Sequence, residues 1–167
     1  MPDLKVHTYG EPILRKRCQP VKVITERELK LLESMLSIMY KEHGVGLAAP
    51  QVGEDLRLIV VDVGTGPFKL CNPKILKKQG FCSLEEGCLS LPDILVNVRR
   101  AKKIELEALN EENKLIKIVA EDLLARAIQH EIDHLDGKLL IDYLPWYKRW
   151  LAKRKLLKLK NYKSNDK

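Results

Sequence analysis

The segment EDLLARAIQHEIDHLDG, Glu121 to Gly137, decides the fold. Leu123, Leu124, Ala127, Ile128, Ile132 and Leu135 recur at helical spacing and make a wide apolar face. Gly137 follows as a stop signal. The spacing predicts a helix over 121–136. His130 and His134 continue the line of Leu123 and Ala127, so both histidines are expected inside the domain. An i, i+4 step turns a helix by about 400°, so the two imidazoles emerge about 40° apart and one turn along. Both can then reach one cation. Glu131 projects about 100° from His130. It can approach a metal-bound water without ligating the metal, which is the arrangement of a metallohydrolase base. The plain alternative is two satisfied histidines on a helix. Burying two unpaired imidazoles is costly, which favours the metal site.

Two histidines do not complete such a site, because catalytic zinc takes three protein ligands and a water. No third histidine follows at zincin spacing. Cys18, Cys71, Cys82, Cys88, His7, His43 and several carboxylates remain as candidates. Cys88 has the most suggestive context, LEEGCLSLP (84–92). Gly87 allows close backbone approach, and Pro92 is expected to end regular pairing, leaving Cys88 in a loop. Read alone, Cys88 also fits a small buried hydrophobe, the usual fate of a free cysteine.

Working outward, residues 1–24 read as irregular. Thr25 and Glu28 have capping-box spacing, and Leu29, Leu32, Met35, Leu36 and Met39 form an apolar stripe, so a helix is expected over 26–43, stopped by Gly44. GVGLAAPQVG (44–53) is small, apolar and broken by Pro50, a poor helix and a poor regular strand. LRLIVVDV (56–63) reads as a buried strand. Short β segments follow at 70–76 and 78–84. KKIELEAL (102–109) and KLIKIVA (114–120) alternate around NEEN and predict an antiparallel ribbon. A last helix is expected over 145–161, with Trp146, Trp150, Leu151, Leu156 and Leu157 docking while the lysines stay wet, and a loose YKSNDK end. The fold class is α+β: antiparallel sheet segments packed around a central metal-binding helix, with a C-terminal amphipathic helix. Residues 1–147 form the catalytic domain, and 148–167 are a basic helix and tail of that same domain.

The 167 residues suit one domain with a real core. No apolar run is long enough to span a membrane, and the N-terminus has no apolar h-region, so the cytoplasm is the expected location. Four cysteines in such a chain point to reduced thiols or metal ligands, with Cys18, Cys71 and Cys82 structural. His7 and His43 read as ordinary surface or cap residues. Arg99 and Arg100 either pair with Glu85 or Glu86 or stay solvated. Asp133 and Asp136 are expected outside the metal shell. The formal charge of +7 is uneven. From Trp146 to Lys167 there are nine lysines and arginines against Asp166, leaving 21 basic and 22 acidic residues elsewhere. A basic tail suggests an acidic partner, while the neutral body argues against a nucleic-acid substrate.

GVGLAAPQ (44–51), EGCLS (86–90) and QHEIDHLDG (129–137), in this order, closely resemble the three signature motifs of the peptide deformylases. The LKVHTYGEPILRKRC opening and the C-terminal helix fit as well. The resemblance implies Cys88, His130 and His134 as metal ligands and Glu131 as the acid/base residue. It implies Gln51 and the backbone N–H of Leu89 as donors to the formyl oxygen. Val45, Gly46 and Gly87 would flank the cleft and pair with the substrate backbone. The implied activity removes the formyl group from the N-terminal formylmethionine of nascent chains. The implied metal is Fe²⁺, with Zn²⁺, Ni²⁺ or Co²⁺ able to substitute. The basic helix would contact the ribosome; no membrane or DNA partner is expected. Leu123, Ala127 and Val45 could line an apolar pocket for the methionine side chain. The rivals are a zinc endopeptidase built on HExxH and a non-catalytic metal- or RNA-binding module.

Overall fold

The structure, a computed structural model, describes residues 4–165. Helix α1 (Glu26–Lys41) begins as the sequence predicts, with the Thr25–Glu28 capping box formed: the Thr25 N–H donates to Glu28 Oε2 at 2.8 Å. Its end comes two residues early. His43, not Gly44, takes the left-handed turn, at φ 56°, and the Gly44 N–H closes onto the Met39 carbonyl at 2.8 Å.

One antiparallel sheet follows, its strands ordered as in the chain: β1 (Gly46–Ala48), β2 (Leu58–Val61), β3 (Phe68–Cys88), β4 (Leu91–Leu109) and β5 (Leu115–Glu121). All four residues of β2 are buried. Leu58 and Val60 face α1 with Leu31, Leu32, Met35 and Met39, while Ile59 and Val61 face the opposite layer. An unbroken apolar run is what a strand covered on both faces requires.

The two short segments expected at 70–76 and 78–84 are one 21-residue strand. The interruptions are register shifts, between Cys71 and Lys74 and between Ile75 and Lys77. A bulge lets Pro73, with no N–H to give, sit within a paired strand. The expectation for Cys88 also changes. Cys88 is the last residue of β3 and pairs with Leu91, leaving Leu89 and Ser90 as a two-residue hairpin turn. Pro92 does not stop pairing. It lies at the start of β4, where a missing N–H is tolerated.

Helix α2 (Asp122–Leu135) leaves β5 without a loop and packs on the sheet through Ala125, Ala127, Ile128 and Leu135, against Ile59, Val61, Ile104 and Leu106. Its C-terminus is fixed by Gly137 at φ 72°. Helix α3 (Trp146–Asn165) runs further than predicted and is helical through Asn165; Asp166 and Lys167 lie outside the described residues. It docks on a third cluster with Ala152 and Leu156, beside Leu91, Val96 and Leu140. Trp146, Trp150, Leu151 and Leu157 do not dock as expected. They remain exposed, Trp146 to 81%, because the helix meets the body along a narrow line.

A Cβ on Gly137 would lie 2.6 Å from the Arg15 carbonyl oxygen, a backbone atom with little freedom to move. Gly137→Ala is therefore expected to cost about 1–3 kcal/mol of stability. A urea melt checks this; an unchanged midpoint would show that the turn tolerates a side chain.

Candidate metal centre

Helix α2 and the β3–β4 turn bring three donors together. The Cys88 sulfur, one nitrogen of His130 and one of His134 all lie within 4.8 Å of one another. Cys88 Sγ is 3.2 Å from His134 Nε2, and the two imidazole centroids are 5.0 Å apart. Ligands set tetrahedrally at about 2.0–2.3 Å from an ion stand roughly 3.3–3.7 Å apart, so this donor set fits a divalent cation. The fit has a second sign. Glu131 Oε2, in the cleft beside the donor set, is buried without a hydrogen-bond partner among the described residues. Groups of this kind are costly unless the site has a further occupant.

The expected ligands are thus together, and the other cysteines are elsewhere. Burial pushes the Cys18 thiol up to about 11 and Cys71 to about 12, so both are inert structural thiols.

Glu131 is 4% exposed. Burial raises its carboxyl to about 7, near the working range of a general base. It lies against Gly46, where a Cβ would come within 2.3 Å of Glu131 Oε1. Only glycine leaves room for that carboxylate. Gln51, 2% exposed, sits in a short 3₁₀ turn (Ala49–Val52) that follows β1. Its Oε1 accepts from the Ala48 N–H at 2.8 Å, and its Nε2 points to Ser90 Oγ at 3.2 Å and Cys88 Sγ at 3.6 Å. The GVGLAAPQ stretch is therefore a short strand and a 3₁₀ turn rather than irregular chain.

A cleft of about 410 Å³ opens over these groups. Val45, Gly46, Gly87, Leu89, Leu123 and Ala127 line it, as do Gln51, Cys88, His130 and Glu131. Of the residues to which the motif resemblance or the apolar-pocket expectation gives a site role, all except His134 line this cleft, and His134 is buried. His43 is the exposed residue that caps the end of α1, as expected, and it also lines the cleft. The backbone N–H of His7 donates to the Gln51 carbonyl at 2.7 Å, while its partly exposed side chain lies outside the cleft lining.

The sequence reading left the support of His130 unresolved. Glu86 provides it. This buried carboxylate accepts from His130 Nδ1 at 3.0 Å, from Arg100 Nε and Nη2 at 2.7 and 2.9 Å, and from Arg126 Nη1 at 2.6 Å. Burial alone would raise its pKa, but the hydrogen bonds from His130 and Arg100, and the charge of Arg100, hold it down to about 2. With Nδ1 committed to Glu86, His130 turns Nε2 toward the cleft. Burial opposes the charged form of His130, yet its bonds to Cys88 and Glu86 pull its pKa up. His134, buried beside it, is pushed down by burial and by the charge of His130. Of the pairings considered from sequence, Arg100 with Glu86 forms, whereas Arg99 stacks on Phe81 at 5.0 Å. Arg126 was the missed signal. It lies one turn before His130 on a buried face, where an arginine needs a carboxylate partner.

The family model for polypeptide deformylase matches residues 3–150. A peptide deformylase of Desulfitobacterium hafniense is 51% identical over 133 residues, covering 80% of this chain and 89% of the relative. The crystal structure of a peptide deformylase from Legionella pneumophila superposes with a TM-score of 0.90 at 41% identity, over 96% of this chain and 97% of that one. The Thermotoga maritima structure gives 0.83 at 43% identity, over 85% and 97%.

Replacing Glu86 with glutamine should weaken metal binding by about 10–100-fold. It should also cost about 3 kcal/mol of stability, since Arg100 and Arg126 lose their shared anion. Metal competition titration and urea denaturation measure the two effects separately.

Proposed function

The chain belongs to the polypeptide deformylase family, and from this premise we propose a role for each group in the cleft. The protein is a metal-dependent hydrolase that removes the formyl group from the N-terminal formylmethionine of polypeptides. The observation that best supports the residue roles is the convergence of Cys88, His130 and His134 beside the buried carboxylate of Glu131.

Cys88, His130 and His134 hold the metal. A thiolate with two imidazoles suits Fe²⁺, and Zn²⁺, Ni²⁺ or Co²⁺ can take the same donors. When bound, the ion supplies Lewis acidity, polarising the formyl carbonyl and lowering the pKa of water toward about 7. Glu131 accepts the proton of the attacking water and later delivers one to the departing amine. Attack on the formyl carbon builds negative charge on its oxygen. The Gln51 amide and the Leu89 N–H are the donors we assign to it, and losing one such donor typically costs about 10²–10³ in turnover. Gly46 and Gly87 leave the backbone open for pairing with the peptide, beside Val45. Leu123, Ala127 and Val45 form an apolar wall for the methionine side chain. The products are formate and a free N-terminal amine.

The basic helix α3 belongs to the same domain, through Ala152 and Leu156. Its exposed Trp146, Trp150 and Leu151, set among lysines and arginines, offer apolar anchors inside a cationic field. A ribosome contact near the emerging substrate is the partner this surface suits. No described helix is long and apolar enough to cross a membrane. The cytoplasm, where ribosomes release formylated chains, is the location consistent with this role.

Two experiments test these assignments. Protein loaded anaerobically with Fe²⁺ or Ni²⁺ is expected to release formate from a formyl-Met peptide. Glu131→Ala should lose at least about 10²-fold in kcat, as befits a removed general base, while the metal remains bound. Retained turnover in that variant would reassign the base. Separately, the triple reversal Lys148→Glu, Arg154→Glu, Lys158→Glu should abolish co-sedimentation with ribosomes at low salt. Formate release from a free peptide should be unchanged. Co-sedimentation that survives the reversal would remove α3 from the contact.

A further inference from the structure

We propose that Ser90 is a positioning residue for Gln51, and that the backbone of His7–Tyr9 straps together, from behind, the two turns that carry the oxyanion donors. The inference rests on the roles given above to Gln51 and to the Leu89 N–H.

Those donors come from separate pieces of chain. Gln51 lies in the 3₁₀ turn after β1, and Leu89 in the hairpin turn between β3 and β4. Among the described residues, β1 pairs only with β2 in the sheet. No ladder of sheet hydrogen bonds therefore sets the gap between the two turns. A gap that must fit one formyl oxygen needs another constraint, since a misplacement of about 1 Å can cost about 10² in rate.

The side chain of Ser90 supplies the first. Ser90 is fully buried, and its Oγ stands 3.2 Å from Gln51 Nε2. The Gln51 amide is fixed at its other end, because only its oxygen can accept from the Ala48 N–H at 2.8 Å. The amide nitrogen then has two hydrogens to place. One goes to Ser90 Oγ. The other points to the side of Cys88 Sγ, 3.6 Å away, which is the side facing the metal ligands and the cleft. Ser90 thereby turns a rotatable amide into a donor whose second hydrogen is held in one direction, toward Cys88 Sγ and the cleft.

The backbone supplies the second constraint. The His7 N–H donates to the Gln51 carbonyl at 2.7 Å, and the Tyr9 N–H donates to the Ser90 carbonyl at 2.9 Å. Residues two apart on a chain span at most about 7 Å, so these paired bonds hold the two turns at a set separation. Leu89, next to Ser90, is held with them.

The test is a double-mutant cycle on the metal-loaded full chain: Ser90→Ala, Gln51→Ala and both together, with kcat, KM, metal content and melting temperature measured for each. Ser90→Ala is expected to lower kcat about tenfold, the equivalent of one neutral hydrogen bond, with KM and metal content little changed. Ser90→Thr, which keeps the hydroxyl, should recover most of that loss. The double variant should be no slower than Gln51→Ala, because Ser90 acts only through Gln51. Losses that multiply in the double variant, or full activity in Ser90→Ala, would overturn the proposal while leaving the role of Gln51 intact. Full activity in Gln51→Ala would instead overturn that role and the proposal with it. Should Ser90→Ala not fold, Tyr9→Pro, which deletes the N–H behind Ser90, takes its place in the cycle with the same expected non-additivity.

Discussion

One buried carboxylate ties the catalytic helix to the sheet. Glu86 gathers hydrogen bonds from Arg100 on β4 and from Arg126 and His130 on α2. Arg100 also reaches Asp133, one turn further along α2, at 2.8 Å. Two arginines against two carboxylates make a neutral set, and every member has a partner. A buried ion pair contributes little net stability when complete, but breaking it is strongly destabilising. Such a network therefore selects one arrangement more than it adds stability. The arrangement selected here puts β3, which ends in Cys88, in register with α2, which carries both histidines. The Cys88 sulfur and the imidazoles are 42 and more residues apart in sequence, so local structure alone could not bring them together.

The second constraint is space. The base role proposed for Glu131 asks that it be buried, which raises its carboxyl to about 7, and that it also stand open to the cleft. These demands conflict unless its neighbour has no side chain. Gly46 resolves the conflict on the Glu131 side. Gly44 plays a milder part, where a Cβ would press Leu89 Cδ1 at 3.1 Å. The left-handed turn that ends α1 accordingly falls on His43, and the glycine beside it serves close approach instead.

Much of this was legible in the sequence, for a physical reason. Helical periodicity marks which side of α2 is buried, and the i, i+4 spacing marks the histidine pair, because both are properties of a single element. The apolar run of β2 and the Thr25–Glu28 box are local in the same way. What could not be read locally was pairing. The bulges that fuse two short segments into β3 depend on the partner strand. So does the hairpin that makes Leu89 and Ser90 a turn. The position of Glu86 opposite two arginines combines a strand register with a helix phase, and no single stretch encodes both. The tryptophans of α3 misled for the opposite reason. Their apolarity is local, but whether they dock depends on how much of the body lies beneath them.

Charge balance accounts for the remaining feature, a cysteine where a third histidine would serve geometry equally well. A dication held by three neutral imidazoles would put two uncompensated positive charges in a buried site whose neighbouring arginines, Arg100 and Arg126, are already matched by Glu86 and Asp133. With the proposed ligands, a Cys88 thiolate would remove one of those charges, and an ionised Glu131 would offset the other. The pocket is then close to neutral when loaded, which limits the cost of burying it. The same balance bears on the base. Burial favours the protonated form of Glu131, while a nearby cation favours the ionised form. In the proposed mechanism that carboxylate takes a proton and returns one within a single turnover.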